Sequence, residues 1–304
     1  MMWFWFSVLA LLFWSGSDLF SKIGCRDAGD KYSHLKMVMA VGVVMGLHAA
    51  YEVFAQGVEI NMEIILTYLP VSALYILSMA IGYLGLRYIE LAISSPICNS
   101  SGAIVAILTI ALFGLEDVNP LQIGALICVC VGVIGLGVVE MTESDEAREA
   151  RQKGTPFKYV PSFAALAFPV IYCLLDALGT FADSLVLEKL NEDSANVAYE
   201  LTFLFVGVIC AIYVLGIKKQ RLLPKAEAPK YTGAIFETAG QFCYIYALAD
   251  SEHVMFSAPI ISSYCAASVL WSRLVLKEKL SWKHYIMIVV TVVGVAMLGL
   301  LDEM

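Results

Sequence analysis

Six acids stand inside long apolar runs of this sequence: Asp18, Glu52, Asp176, Asp183, Glu200 and Glu237. The only basic side chain expected at comparable depth is His48. A charge near the centre of a bilayer costs about 2.5–3.5 kcal/mol on insertion scales, so such residues turn toward protein or water and mark functional sites. One imidazole does not balance six carboxylates. The compensation has to come from protons, an inorganic cation or a cationic substrate. Spacing organises the acids. Tyr172, Asp176, Thr180 and Asp183 fall at i, i+4, i+8 and i+11, one face of a helix. Glu237, Gln241 and Tyr244 share a second face, Trp14, Asp18 and Ser21 a third, and His48 with Glu52 a fourth. Carboxylates beside Trp14, Tyr172 and Tyr244 suit an organic ammonium, held by charge and by cation–π attraction. Competing structural accounts exist for some of them. Aromatic residues line most membrane cores and interfaces, Glu200 and Glu237 stand near enough to span ends to be interfacial, and a core histidine is commonly satisfied by its neighbours.

The elements that must position these residues are read from composition and run length. Of 304 residues, 60% are hydrophobic and 15% charged, with a mean hydropathy of +0.79. Soluble domains are roughly 45–50% apolar and about a quarter charged, so a water-soluble globule is excluded. The net charge of −8 offers no basic field for nucleic acid. Apolar runs fall at 3–23, 37–56, 64–87, 91–113, 121–140, 160–187, 196–217, 231–249, 254–273 and 282–301. Each is about the length of one helical bilayer crossing. The predicted fold is therefore an all-α integral membrane protein of ten transmembrane helices. The polar stretch 141–159 divides it into residues 1–140 and 160–304, five spans each. Eighteen of the 19 Lys and Arg residues lie in alternate loops, Lys189 being the exception. The positive-inside rule then predicts a cytoplasmic linker and both termini outside. Depths follow: Glu52, Asp183 and Glu200 toward the outside, Asp176 near the middle, Asp18 and Glu237 toward the inside. The acids are thus expected to line one path between the faces.

The two halves repeat a pattern. Pro96 precedes Glu116 and Gly132-Val133, and Pro259 precedes Glu278 and Gly294-Val295, at nearly equal spacings. Five is odd, so homologous halves lie upside down relative to each other, a 5+5 inverted repeat. Pro96 and Pro259, each one turn into a span, are candidate gating hinges, with ordinary helix starts as the alternative. Glu116 and Glu278 are expected to favour the positive end of the helix that follows each. Gly132, Gly135, Gly137, Gly294 and Gly299 suit close helix packing, within the chain or in a homodimer. The eight cysteines lie mostly in apolar runs without C-x-x-C spacing, which predicts neither a disulfide framework nor a zinc site.

Three segments carry a family likeness: Trp14-Ser15-Gly16-Ser17-Asp18 leading to Lys22, Leu112-Phe113-Gly114-Leu115-Glu116, and Leu276-Lys277-Glu278-Lys279-Leu280. In these the chain resembles the drug/metabolite transporter superfamily, specifically its ten-helix EamA-type carriers. Ser15 stands where Trp-Gly is commoner in that family. The resemblance implies two five-helix EamA-like repeats, a central cavity, alternating access and no cofactor. With the lack of a cleavable leader it implies a multi-pass protein of a bacterial cytoplasmic membrane, an organellar membrane being the alternative. Together these readings predict a secondary transporter of a small organic cation or zwitterion, such as an amine or amino acid. Asp18, Asp176, Asp183, Glu237, Gln241, Trp14, Tyr172 and Tyr244 are its expected substrate-binding residues. Glu52, His48, Glu200, Pro96 and Pro259 are expected in proton or cation coupling and gating. A proton-coupled multidrug or metabolite exporter is the close alternative. An enzyme is disfavoured: Gly16-Ser17-Asp18 lacks the Gly-x-Gly-Asp of an intramembrane aspartyl protease, and Asn99-Ser100-Ser101-Gly102 lacks the leading glycine of a serine protease. A channel is disfavoured by the lack of a filter-like segment.

Overall fold

The computed structural model describes residues 2–27, 29–114, 119–144, 146 and 163–301. Glu116 and the linker's Arg148, Arg151, Lys153 and Lys158 lie outside them. The chain runs through ten long helices: α1 (Met2–Cys25), α2 (Ser33–Gln56), α3 (Met62–Gly85), α4 (Leu91–Phe113), α5 (Pro120–Met141), α6 (Ala167–Leu187), α7 (Glu192–Ile217), α8 (Pro224–Leu248), α9 (Ser251–Leu276) and α10 (Trp282–Leu301). Among the described residues there is no strand. Eight helices are long and apolar enough to cross a membrane on that basis alone. α10 has a shorter apolar stretch, and α8 falls short because it carries Lys225, Glu227, Lys230, Glu237 and Gln241. The most polar span is thus a helix that holds predicted site residues.

Packing follows a pairwise scheme. α1 packs along α8 and α3 along α6; α2 lies against α7 and α5 against α10; α4 and α9 meet in the interior. Exchanging the halves, α1 for α6 and so on in order, interchanges α1–α8 with α3–α6 and maps each of the other three pairings onto itself. Leu47, Phe54, Phe205 and Leu274 remain exposed on the outside of the bundle, as side chains facing lipid do. On α6 the split is plain: Leu174 and Leu178 are exposed, while Cys173, Ala177, Thr180 and Asp183 are buried.

α4 and α9 are both interrupted. α4 breaks at Ser100 and α9 at Ser263, each four residues after a proline, Pro96 and Pro259. Proline lacks the N–H that would bond the carbonyl four residues earlier, which weakens the helix around it. At the breaks themselves, serine hydroxyls serve carbonyls of the last turn: Ser100 Oγ donates to the Pro96 carbonyl at 3.0 Å and Ser263 Oγ to the Ile260 carbonyl at 2.5 Å. The two broken helices cross at Gly102, where a Cβ would stand 2.8 Å from the Ala258 carbonyl oxygen and overlap the Ser262 side chain. Gly102→Val is therefore expected to destabilise by about 1–3 kcal/mol through overpacking, read as a fall in Tm of the detergent-purified protein. An unchanged Tm would mean that the crossing is loose.

Glycines also explain α5 and α10. A Cβ at Gly132 would lie 2.8 Å from the Thr291 nitrogen, and one at Gly294 would lie 2.7 Å from the Val129 nitrogen. The face offered by Gly132 and Gly294 is thus occupied within the chain, by the matching helix of the other half. All eight cysteines are free.

Candidate functional site

A cavity of about 70 Å³ lies between α1, α3, α4, α6, α7, α8 and α9. That is room for a few waters or one narrow solute. Seven of the eight predicted substrate-binding residues line it: Trp14, Asp18, Tyr172, Asp176, Glu237, Gln241 and Tyr244. Each of its carboxylates receives a serine hydroxyl from a neighbouring helix. Ser95 on α4 donates to Asp18 at 2.5 Å, Ser101 on α4 to Asp176 at 2.7 Å, and Ser17 on α1 to Glu237 at 2.7 Å. Among the described residues no Lys, Arg or His pairs with any of the three. Asp18 and Asp176 are partly exposed, to the cavity they line, whereas Glu237 is buried. The three do not converge on one point: among the described residues no group of three His, Cys, Asp or Glu is close enough to hold a metal ion.

Aromatic rings form most of the remaining wall. Trp14 lies 4.9 Å from Tyr244 and 5.9 Å from Tyr264, centroid to centroid. These rings fit because small residues face them. A Cβ at Gly82 would stand 2.8 Å from Tyr172, one at Gly179 would stand 2.9 Å from Tyr75, and one at Gly240 would overlap Trp14. Tyr75, Tyr83 and Tyr199 also line the cavity, and were not among the residues expected there. For Tyr75 and Tyr83 the signal was present on α3, where Tyr68, Tyr75 and Tyr83 recur at i, i+7 and i+15 on one helical face.

Asp183 stands just behind this wall. Tyr75, Thr180 and Tyr244 are joined by hydrogen bonds: Tyr75 to Tyr244, Tyr75 to Thr180 at 3.1 Å, and Tyr244 to Thr180 at 3.2 Å. Asp183 accepts from Tyr68 at 2.7 Å and from Tyr75 at 3.5 Å, and both Asp183 and Tyr68 are wholly buried. The layer closes the cavity on the side toward the chain termini.

His48, Glu52 and Glu200 form a separate group on α2 and α7, away from the cavity wall. His48 Nδ1 sits 2.8 Å from Glu200, Asn196 donates to Glu200 at 3.2 Å, and Glu52 lies 3.6 Å from His48 Nε2. Glu200 has no exposure at all, so it is a core residue and not an interfacial one. The expected single file of acids is replaced by three separate groups: the cavity trio, the tyrosine-bound Asp183 and this His–Glu cluster.

Against Leu86, which lines the cavity, packs a residue that charge counting had placed in a loop. Lys22 is fully buried and donates to the Leu86 carbonyl at 2.7 Å and the Ile89 carbonyl at 2.5 Å. Glu278 and Glu90, both buried, attract it. The Glu278 carboxylate accepts from Ala92 N, in the first turn of α4, at 3.3 Å. Lys22 thereby ties α1 to the α3–α4 turn and to the segment after α9. Nearby, Lys36 bridges Asp30 at 2.9 Å and Glu227 at 3.5 Å, and Lys230 bonds Glu227 at 3.0 Å, so α2 and α8 are pinned together as well.

Residues 163–300 match the EamA-like transporter family. Solved structures share the fold, 28 chains in all. In one crystal structure the superposition gives a TM-score of 0.66 at 14% identity, covering 98% of this chain and 96% of that one. No curated protein matches the chain by sequence.

Proposed function

We propose that this chain, whose residues 163–300 match the EamA-like transporter family, is a membrane transporter of the drug/metabolite type that carries a small organic cation or zwitterion by alternating access. One observation bears the weight. Three carboxylates, Asp18, Asp176 and Glu237, open onto one aromatic-walled cavity, each accepting from a serine hydroxyl and none paired with Lys, Arg or His among the described residues. A buried acid without a cation calls for one, and an ammonium flanked by tyrosine and tryptophan faces supplies it. Gln241 and Tyr244 complete the wall. The small volume favours a small solute over the bulky substrates of a multidrug exporter.

The halves, residues 1–140 and 160–304 joined by the 141–159 linker, rock against each other in this reading. Access at one end is controlled by the Tyr75–Thr180–Tyr244 layer with Asp183 behind it. Access at the other is controlled by Lys22 and its carbonyls. The matched breaks after Pro96 and Pro259 lie beside the cavity, at the crossing where bending would open it. His48, Glu52 and Glu200 are assigned to proton coupling, and the basic-loop end to the cytoplasm.

The test is counterflow into liposomes with amines, quaternary ammonium compounds and amino acids. Asp18→Asn and Asp176→Asn are each expected to lower uptake of the cationic class by about tenfold or more, the loss of a charge-assisted contact. Saturable uptake of neutral or anionic solutes, indifferent to both substitutions, would overturn the cation reading.

A further inference from the structure

The three carboxylates of the cavity are spread along it, and their spacing can be read from their partners. Ser95 and Ser101, which hold Asp18 and Asp176, stand six residues apart on the two sides of the α4 break, about 9 Å were the helix continuous. Glu237 is held by Ser17, the neighbour of Asp18, so Glu237 and Asp18 form one negative pole and Asp176 the other. Asp183 continues the series two turns beyond Asp176, about 10 Å further along the same face of α6. A single ammonium satisfies one pole and leaves the other uncompensated.

Three further side chains, all more than nine-tenths buried, line the cavity without a partner: the Ser21 hydroxyl, the Tyr83 hydroxyl and the Gln241 amide nitrogen. Ser21 is one turn along α1 from Ser17 and Asp18, and Gln241 one turn along α8 from Glu237. A hydroxyl accepts as readily as it donates, and an amide presents its oxygen when turned over. A primary ammonium has three protons to place and would take these acceptors beside the first carboxylate pole. The same cavity wall carries Met79, Tyr172, Tyr199 and Tyr264, a surface for methylenes. The narrow cavity suits an unbranched chain.

We infer that the substrate is a linear α,ω-diamine or polyamine, one ammonium between Asp18 and Glu237 and the next at Asp176. This narrows the cation reading above and rests on it. The methylene chain lies along the tyrosines, and Asp183 marks where a third nitrogen would reach after the tyrosine layer parts.

The experiment is counterflow by the wild-type protein in liposomes, with unbranched diamines from ethylenediamine to octanediamine and the matching monoamines as competitors. Half-inhibition by the diamines is expected to be strongest from pentanediamine to heptanediamine, whose nitrogens match the spacing of the poles. There it should be about tenfold to a hundredfold stronger than with the monoamine of equal length, the value of one charge-assisted contact. Asp176→Asn should flatten this dependence on length. Monoamines competing as well as diamines, with no optimum of length, would overturn the diamine assignment and leave the cation reading standing. Failure of every amine to compete would overturn both.

Discussion

Lys22→Met is expected to cost the folded protein about 3–5 kcal/mol, the penalty for removing one partner of a buried ionic group. The side chain has no exposure and ends among polar groups that are themselves buried. Without it the carbonyls of Leu86 and Ile89 lose their donor. Glu278 and Glu90 remain buried with one positive charge fewer to attract them. Methionine keeps most of the volume, so packing is not the cause. The loss should appear as a large drop in Tm in detergent, and Lys22→Arg should recover only part of it because a fork does not fit two carbonyls placed for a point charge. Adding Glu278→Gln to Lys22→Met should restore some stability, since the acid left behind is then neutral. A Tm within a degree or two of wild type would mean that water replaces the ammonium, and the closure assigned to this end of the cavity would fall with it.

Lys22 also shows what a linear reading could and could not reach. Lipid demands helices of a fixed length with apolar exteriors, so ten spans can be counted from hydropathy, and all ten appear as helices. Acids in such spans are few and costly, which made Asp18, Asp176, Asp183 and Glu237 conspicuous, and helical spacing assigned them to the faces that meet. The charge rule, by contrast, tallies basic residues near span ends without separating those in water from those turned inward. Lys22, Lys36 and Lys230 all belong to the second kind. Serine partners stayed hidden for a different reason. A hydroxyl is unremarkable in a helix, and whether Ser17, Ser95 or Ser101 meets an acid depends on which helices are neighbours across the bundle. Glu278 is similar: its spacing from Pro259 pointed to the next helix, and its contact with the first turn of α4 depends on the fold. Glu116, its counterpart in the first half, lies outside the described residues.

His48→Leu is expected to destabilise strongly, and its partner substitution to undo the damage. Glu200 is fully buried, and without the imidazole at 2.8 Å it keeps only the Asn196 amide at 3.2 Å. Stranding a buried carboxylate in this way costs about 3–5 kcal/mol. Replacing both members removes the stranded charge, and apolar pairs in such positions are commonly neutral or better. His48→Leu/Glu200→Leu should therefore regain most of the lost Tm, with a coupling energy that the double-mutant cycle measures directly. Because the double variant is folded, it also separates two roles for the cluster. Glu52, 3.6 Å from the imidazole and partly exposed, offers the pair a way to water. If His48 and Glu200 exchange the proton that drives transport, the double variant should still bind and counterflow substrate while losing its response to an imposed pH gradient. Retention of that response would make the cluster a brace between α2 and α7. The coupling proton would then have to be carried by the carboxylates of the cavity itself, in competition with the substrate.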